Sequence, residues 1–187
     1  MKKINTLILL TLTIWFITFQ NFFPKSDKKT FGAAYYYNIR LNDSIRAKNN
    51  YMELHYNKVD SIIKSYQSDI NTEHLLQLSY EYNMDVYFIL AQGIVESHLG
   101  TVGRARRTKS VFGVGMYDNG ISCRKYCYSH VDDSIEPYIN LLINRYLKDK
   151  NPRNTHLLLQ PNGFKNRYAS AENYEVTIKQ VYNKITR

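Results

Sequence analysis

The chain has 187 residues, 44% of them hydrophobic and 22% charged, and a formal net charge of +9. That length suits one folded domain rather than several, and the apolar share excludes an intrinsically disordered chain. The basic balance suits nucleic acid, an anionic membrane or an anionic wall polymer; with no RNP pattern, zinc-finger spacing or recognition helix, nucleic acid is not an expected partner.

Lys2 and Lys3 precede Ile4–Phe23, a run of 20 residues without charge. At ~1.5 Å per helical residue such a run reaches across a hydrocarbon core of roughly 30 Å. Flanking lysines stay cytoplasmic, so the rest of the chain is expected outside, in the periplasm or on the cell surface. Residues 1–24 read as a signal anchor or a signal peptide. No small-x-small cleavage site directly follows the run, where Pro24-Lys25-Ser26 stands instead, and this favours the anchor. Residues 25–70 read as a linker and a membrane-proximal helical segment. There Tyr51, Leu54, Val59, Ile62, Ile63 and Tyr66 recur at three- to five-residue steps, which predicts a helix or two.

Residues 71–187 read as the globular domain. Thr72 is the expected N-cap of a helix carrying Leu75, Leu76, Leu78 and Tyr82. Asn83 is the expected cap of the next, with Val86, Ile89, Leu90, Gly93 and Ile94 as an apolar stripe and Gly100 as its end. From Gly113 to Tyr128 the helical period is lost, and Asp118-Asn119-Gly120 reads as a turn within a small irregular or β lobe. Asp132 or Asp133 then caps a helix with Pro137 in its first turn, stopped by Asn151-Pro152. Ser170 opens a last helix through Tyr174, Ile178, Val181, Tyr182 and Ile185. The expected class is mostly α with that small lobe, behind an N-terminal apolar membrane helix. Outside the cytoplasm Cys123 and Cys127 can oxidise to a disulfide closing a short loop. His130 alone does not complete a metal site with them, so neither metal nor cofactor is expected.

Glu96 is the sharpest position for chemistry. It lies seven residues after Ile89, on the apolar face, where a leucine would be the ordinary choice. A carboxyl held against apolar side chains has its pKa raised by desolvation. An acid still protonated near neutral pH can donate to a glycosidic oxygen, whose alkoxide is a poor leaving group.

The segment Ile89-Leu-Ala-Gln-Gly-Ile-Val-Glu-Ser-His-Leu-Gly100 resembles the "LAQ…ES.wG" signature of bacterial cell-wall glucosaminidases, glycoside hydrolase family 73. Val111-Phe-Gly-Val-Gly-Met-Tyr-Asp118 resembles its "lFGiga.D" stretch. Ser134, Ile135, Tyr138 and Leu142 match its "dSi..Y..lL" helix, and Arg167-Tyr-Ala-Ser-Ala-Glu-Asn-Tyr174 resembles "gYatdpnYa". The resemblance covers about Thr72 to Ile185, with four motifs in order. His98-Leu99 departs from it, because an aromatic usually follows Glu-Ser. The resemblance implies a lysozyme-like helical fold, cleavage of β-1,4 bonds in peptidoglycan glycan strands, and Glu96 as the catalytic acid. It also implies an active-site role for Tyr168. Asp118 is the first choice for a base or charge stabiliser, with an Asp-Asn-Gly turn role as the alternative; a substrate acetamido group can replace it. A muramidase, a lytic transglycosylase and a non-catalytic wall-binding component are the rival readings.

Overall fold

A computed structural model describes residues 28–114, 127–147 and 173–187, with side chains from residue 37 onward. The apolar run at residues 4–23, Asp118, Cys123 and Tyr168 lie outside these residues. No helix among the described residues is long and apolar enough to cross a membrane.

The first described helix, α1 (Lys28–Ser65), is continuous over 38 residues. The chain divides into two compact units, Met1–Ala47 and Lys48–Arg187. In the first unit Tyr37, Leu41 and Ile45 are exposed. In the second, Val59 and Ile63 on α1, and Ile70 just after it, are buried in the main core. The second compact unit thus includes the last turns of α1 as well as the residues that follow it. The loose three- to five-residue spacing of apolar positions marks a helix face that packs, and its partner lies in the rest of the domain.

Helix α2 (Thr72–Glu81) is capped by Asn71, whose side chain accepts from the His74 amide at 2.9 Å. Thr72, the expected cap, is already the first helical residue, and its hydroxyl donates instead to Asp60 on α1 at 3.1 Å. Helix α3 (Val86–Ser97) is capped by Asp85, not Asn83. Asp85 Oδ1 accepts from the Tyr87 amide at 2.9 Å. Asn83 takes a left-handed conformation at φ 52°, ending the previous turn. Ten residues from Val86 to Val95 carry no charge, and α3 is buried nearly all round, as such a helix must be. It stops at Ser97, three residues before Gly100, through a left-handed run at His98, Leu99 and Gly100 (φ 48°, 58° and 87°).

After a short helix α4 (Ala105–Thr108), a 3₁₀ turn (Asp132–Ser134) leads into α5 (Ile135–Leu141), whose last turn widens to π geometry at Leu142–Tyr146. Asp133 accepts from the His130 amide at 3.0 Å, while Asp132 accepts from the Asn71 amide at 2.9 Å and so joins this turn to the start of α2. Helix α6 (Tyr174–Thr186) packs against α3, and its Tyr182 hydroxyl donates to the cap residue Asp85 at 2.6 Å. The described residues are helical with no strand. The expected small lobe, the Asn151-Pro152 stop and the Ser170 start lie wholly or largely outside them.

Burying a Val or Ile side chain is worth about 1.5–3 kcal/mol, and a whole domain nets only about 5–15 kcal/mol. A truncated chain starting at residue 48 is expected to unfold cooperatively in urea. One starting at residue 71, stripped of Val59, Ile63 and Ile70, is expected to show no cooperative transition. Equal midpoints for the two would show that α1 is dispensable.

Candidate functional site

Glu96 occupies the last turn of α3 and is half-buried. Hydrogen bonds from neighbouring side chains fix the end of this helix. Ser97 is buried, and its hydroxyl donates to the Val111 carbonyl at 2.7 Å and accepts from the Gly100 amide at 2.8 Å. The Val111 amide donates to Ser134 Oγ at 3.2 Å, and Ser134 in turn donates to the Val131 carbonyl at 2.7 Å. Both backbone polar groups of Val111 are thus held by side chains, one from α3 and one from the turn before α5.

This clamp delivers the next two residues to the carboxyl. Phe112 stacks flat on Tyr138, with centroids 3.7 Å apart and planes 9° from parallel. Gly113 follows in a left-handed conformation at φ 62°. A Cβ built there would lie 3.8 Å from Glu96 Oε2. Glycine therefore serves twice at this position: it tolerates the backbone angle, and it adds no side chain of its own beside Oε2.

The other carboxylate oxygen is engaged. The Tyr174 hydroxyl, from the first turn of α6, donates to Glu96 Oε1. Gln92, fully buried one turn before Glu96, donates from Nε2 to the Tyr174 oxygen at 3.0 Å. The Tyr138 hydroxyl donates to Gln92 Oε1. Burial raises the Glu96 pKa above its ordinary value, and the Tyr174 hydrogen bond partly opposes that rise. No carboxylate among the described residues acts on Glu96. The arrangement is a carboxyl that desolvation biases toward its protonated form, with one oxygen hydrogen-bonded and the other beside the Gly113 backbone, which suits proton donation.

Of the residues singled out from sequence, the structure describes Glu96 but neither Asp118 nor Tyr168. Tyr174, Gln92 and Tyr138 were read from sequence as packing or motif residues rather than as site residues. One signal was available: Gln92 is four residues before Glu96, a second polar side chain on the same face of an apolar helix. Cys127 is not a free cysteine, and its expected partner Cys123 lies outside the described residues. Of the basic run only the exposed Arg106 and the half-buried Lys109 line a cavity of about 420 Å³, with Tyr66 and Asp69 among others, and Glu96 does not contribute to it.

A protein-family model described as Glucosaminidase, mannosyl-glycoprotein endo-beta-N-acetylglucosaminidase, matches residues 72–187. No curated protein and no solved structure matches the chain.

Two outcomes follow from this geometry. Ser97→Ala leaves the Val111 carbonyl and the Gly100 amide without their shared partner, and about 1–3 kcal/mol of stability should be lost in urea denaturation. The raised pKa of Glu96 has a definite sign in stability. A carboxyl that binds its proton more tightly when folded contributes fully below its unfolded value near 4.5, and that contribution is lost as the pH rises through the folded value. Glu96→Gln should therefore melt above wild type at neutral pH and converge with it in acid. A wild type that melts higher at neutral pH would contradict desolvation as the dominant influence on Glu96.

Proposed function

The chain belongs to the Glucosaminidase family, matched over residues 72–187, and on that premise we propose that it is an endo-β-N-acetylglucosaminidase of peptidoglycan with Glu96 as its general acid. The observation that carries this reading is the half-buried Glu96 carboxyl, raised in pKa by desolvation, with Oε2 beside Gly113. Glu96 protonates the oxygen linking two sugars, and the bond from that oxygen to C1 breaks. A carboxylate then remains, and it takes a proton from the water that completes hydrolysis.

Positive charge develops at C1 as the bond breaks and needs a nucleophile or a stabilising group. The acetamido oxygen of an N-acetylglucosamine held in the cleaved subsite can supply that nucleophile itself. Asp118 remains the proposed charge stabiliser and Tyr168 a proposed orienting hydrogen-bond donor. The basic surface suits an anionic wall polymer. An outward-facing domain tethered by residues 4–23, with Cys123 paired to Cys127, completes the proposal.

Replacing Glu96 with Gln preserves size and removes the transferable proton. Clearing of purified peptidoglycan in a zymogram should fall by ~10²–10⁴, with the fold retained by circular dichroism. Activity within about threefold of wild type would refute the assignment, given that expected loss. New reducing ends on N-acetylglucosamine should accompany wild-type cleavage; muramic acid ends or anhydro products would reassign the bond or the reaction.

A further inference from the structure

The cavity of about 420 Å³ lies within the second compact unit, and its walls carry opposite charges. One wall is the loop after α1, which bears the exposed Asp69. A second runs from Leu99 to Val102, directly after the last turn of α3. A third is α4 with its cap, which bear Arg106 and Lys109. Those two are three residues apart, the spacing of one helix face. Arg104 and Arg107, from the same basic run, do not line the cavity.

The walls are fixed to one another. The Ser68 hydroxyl donates to the Leu99 carbonyl at 2.6 Å and joins the first wall to the second. The Thr101 and Val102 amides donate back to the Ser97 carbonyl at 3.1 and 3.2 Å, which ties the second wall to α3. Leu99, Val102 and Val131 add apolar surface to the lining, and Leu99 and Val131 are buried. The charges are not used on each other. The ion pairs among the described residues are Lys48–Glu81, Lys64–Asp60 and His130–Asp132, and none includes Asp69, Arg106 or Lys109.

Two cations and one anion beside apolar walls suit a ligand with a carboxylate, an ammonium group and small aliphatic parts. A polyphosphate fits poorly, because Asp69 would face its repeated negative charge. A neutral sugar leaves all three charges unanswered. A short peptide with a free carboxylate and a free amine answers them. Position connects this chemistry to the proposed substrate. Leu99 is three residues after Glu96, and a chain spans at most ~3.6 Å per residue, so the two backbones lie within ~11 Å. The sugars of peptidoglycan carry short peptides, and a strand held at Glu96 brings such a branch near the cavity.

We propose that this cavity is a subsite for the peptide branch of the glycan strand, with a carboxylate on Arg106 and Lys109 and an ammonium group on Asp69. The link to a glycan strand rests on the reading of the chain as a peptidoglycan glucosaminidase; the charge pattern does not. The contact is remote from the bond that breaks and is made equally before and during cleavage. It therefore lowers KM rather than raising kcat.

Binding is measured first and needs no turnover. The probe is the free tripeptide alanyl-γ-glutamyl-diaminopimelate, titrated by calorimetry into full-length wild type, Arg106→Gln and Asp69→Asn. Both variants should bind roughly tenfold more weakly than wild type, the effect of about one charge-assisted hydrogen bond. Acetylating the amine of the tripeptide should weaken its binding to wild type and leave its binding to Asp69→Asn unchanged. Equal affinities across the three proteins overturn the proposal, as does a wild type that does not bind the tripeptide. Loss of poly(glycerol phosphate) binding in Arg106→Gln, without loss of tripeptide binding, overturns it in favour of an anionic polymer. Cleavage then joins the cavity to the substrate. Wild type should show a lower KM on purified peptidoglycan than on strands stripped of peptide by an amidase, and Arg106→Gln should erase that difference. A difference that survives in Arg106→Gln overturns the subsite. A Glu96→Gln chain that still cleaves defeats the general-acid reading alone, because the tripeptide titrations decide the cavity either way.

Discussion

The burial of α3 is the constraint from which the rest follows. A helix with ten successive uncharged residues is stable in water only when other elements surround it. Here α6, α2, α5 and the later turns of α1 contribute to the core in which it lies. The enclosure gives Glu96 its character. The carboxyl leaves the core only at the last turn, where it is half-buried and its pKa is raised by desolvation.

Enclosure also makes every polar group on α3 expensive unless it is partnered. Gln92 and Ser97 are both buried, and both are hydrogen-bonded. Neither is simply tolerated. Gln92 connects Tyr138 on α5 to Tyr174 on α6, so one amide bridges two helices behind the acid. Ser97 fixes the strand of chain that carries Phe112 and Gly113 past Glu96. The polar residues of this helix position the groups on either side of the carboxyl.

The motif strings acquire a common physical meaning in this light. Ala-Gln supplies Gln92, Glu-Ser supplies the acid and the hydroxyl that holds Val111, and Phe-Gly supplies the ring that stacks on Tyr138 and the bare backbone beside Oε2. Asp-Ser-Ile supplies Ser134, the second support of Val111. Segments far apart in sequence thus form one contact set around a single carboxyl. This is why the ordered series of motifs points to a family where any one of them would not.

Much of this was legible in the chain itself. Helical periodicity located α2, α3, α5 and α6, because a buried face repeats every three to four residues whatever it packs against. A glutamate on an apolar stripe was conspicuous for the same reason. Cap assignments missed by one or two residues at Asn71 and Asp85, since Asn, Asp and Thr are all competent caps; the choice was made by a contact across the fold, Thr72 with Asp60 and Tyr182 with Asp85. The depth of the core along α1 was hidden too, because Val59 and Ile63 look like any sparse apolar face until the rest of the core closes around them. Tyr174 was the largest omission. It is one of 17 tyrosines, and composition does not distinguish a packing ring from a hydroxyl aimed at a carboxylate. Sequence determines which residue types recur on a face; only the docking of α6 on α3 brings residues 78 positions apart within a hydrogen bond, because that distance depends on the packing of whole helices rather than on any local pattern.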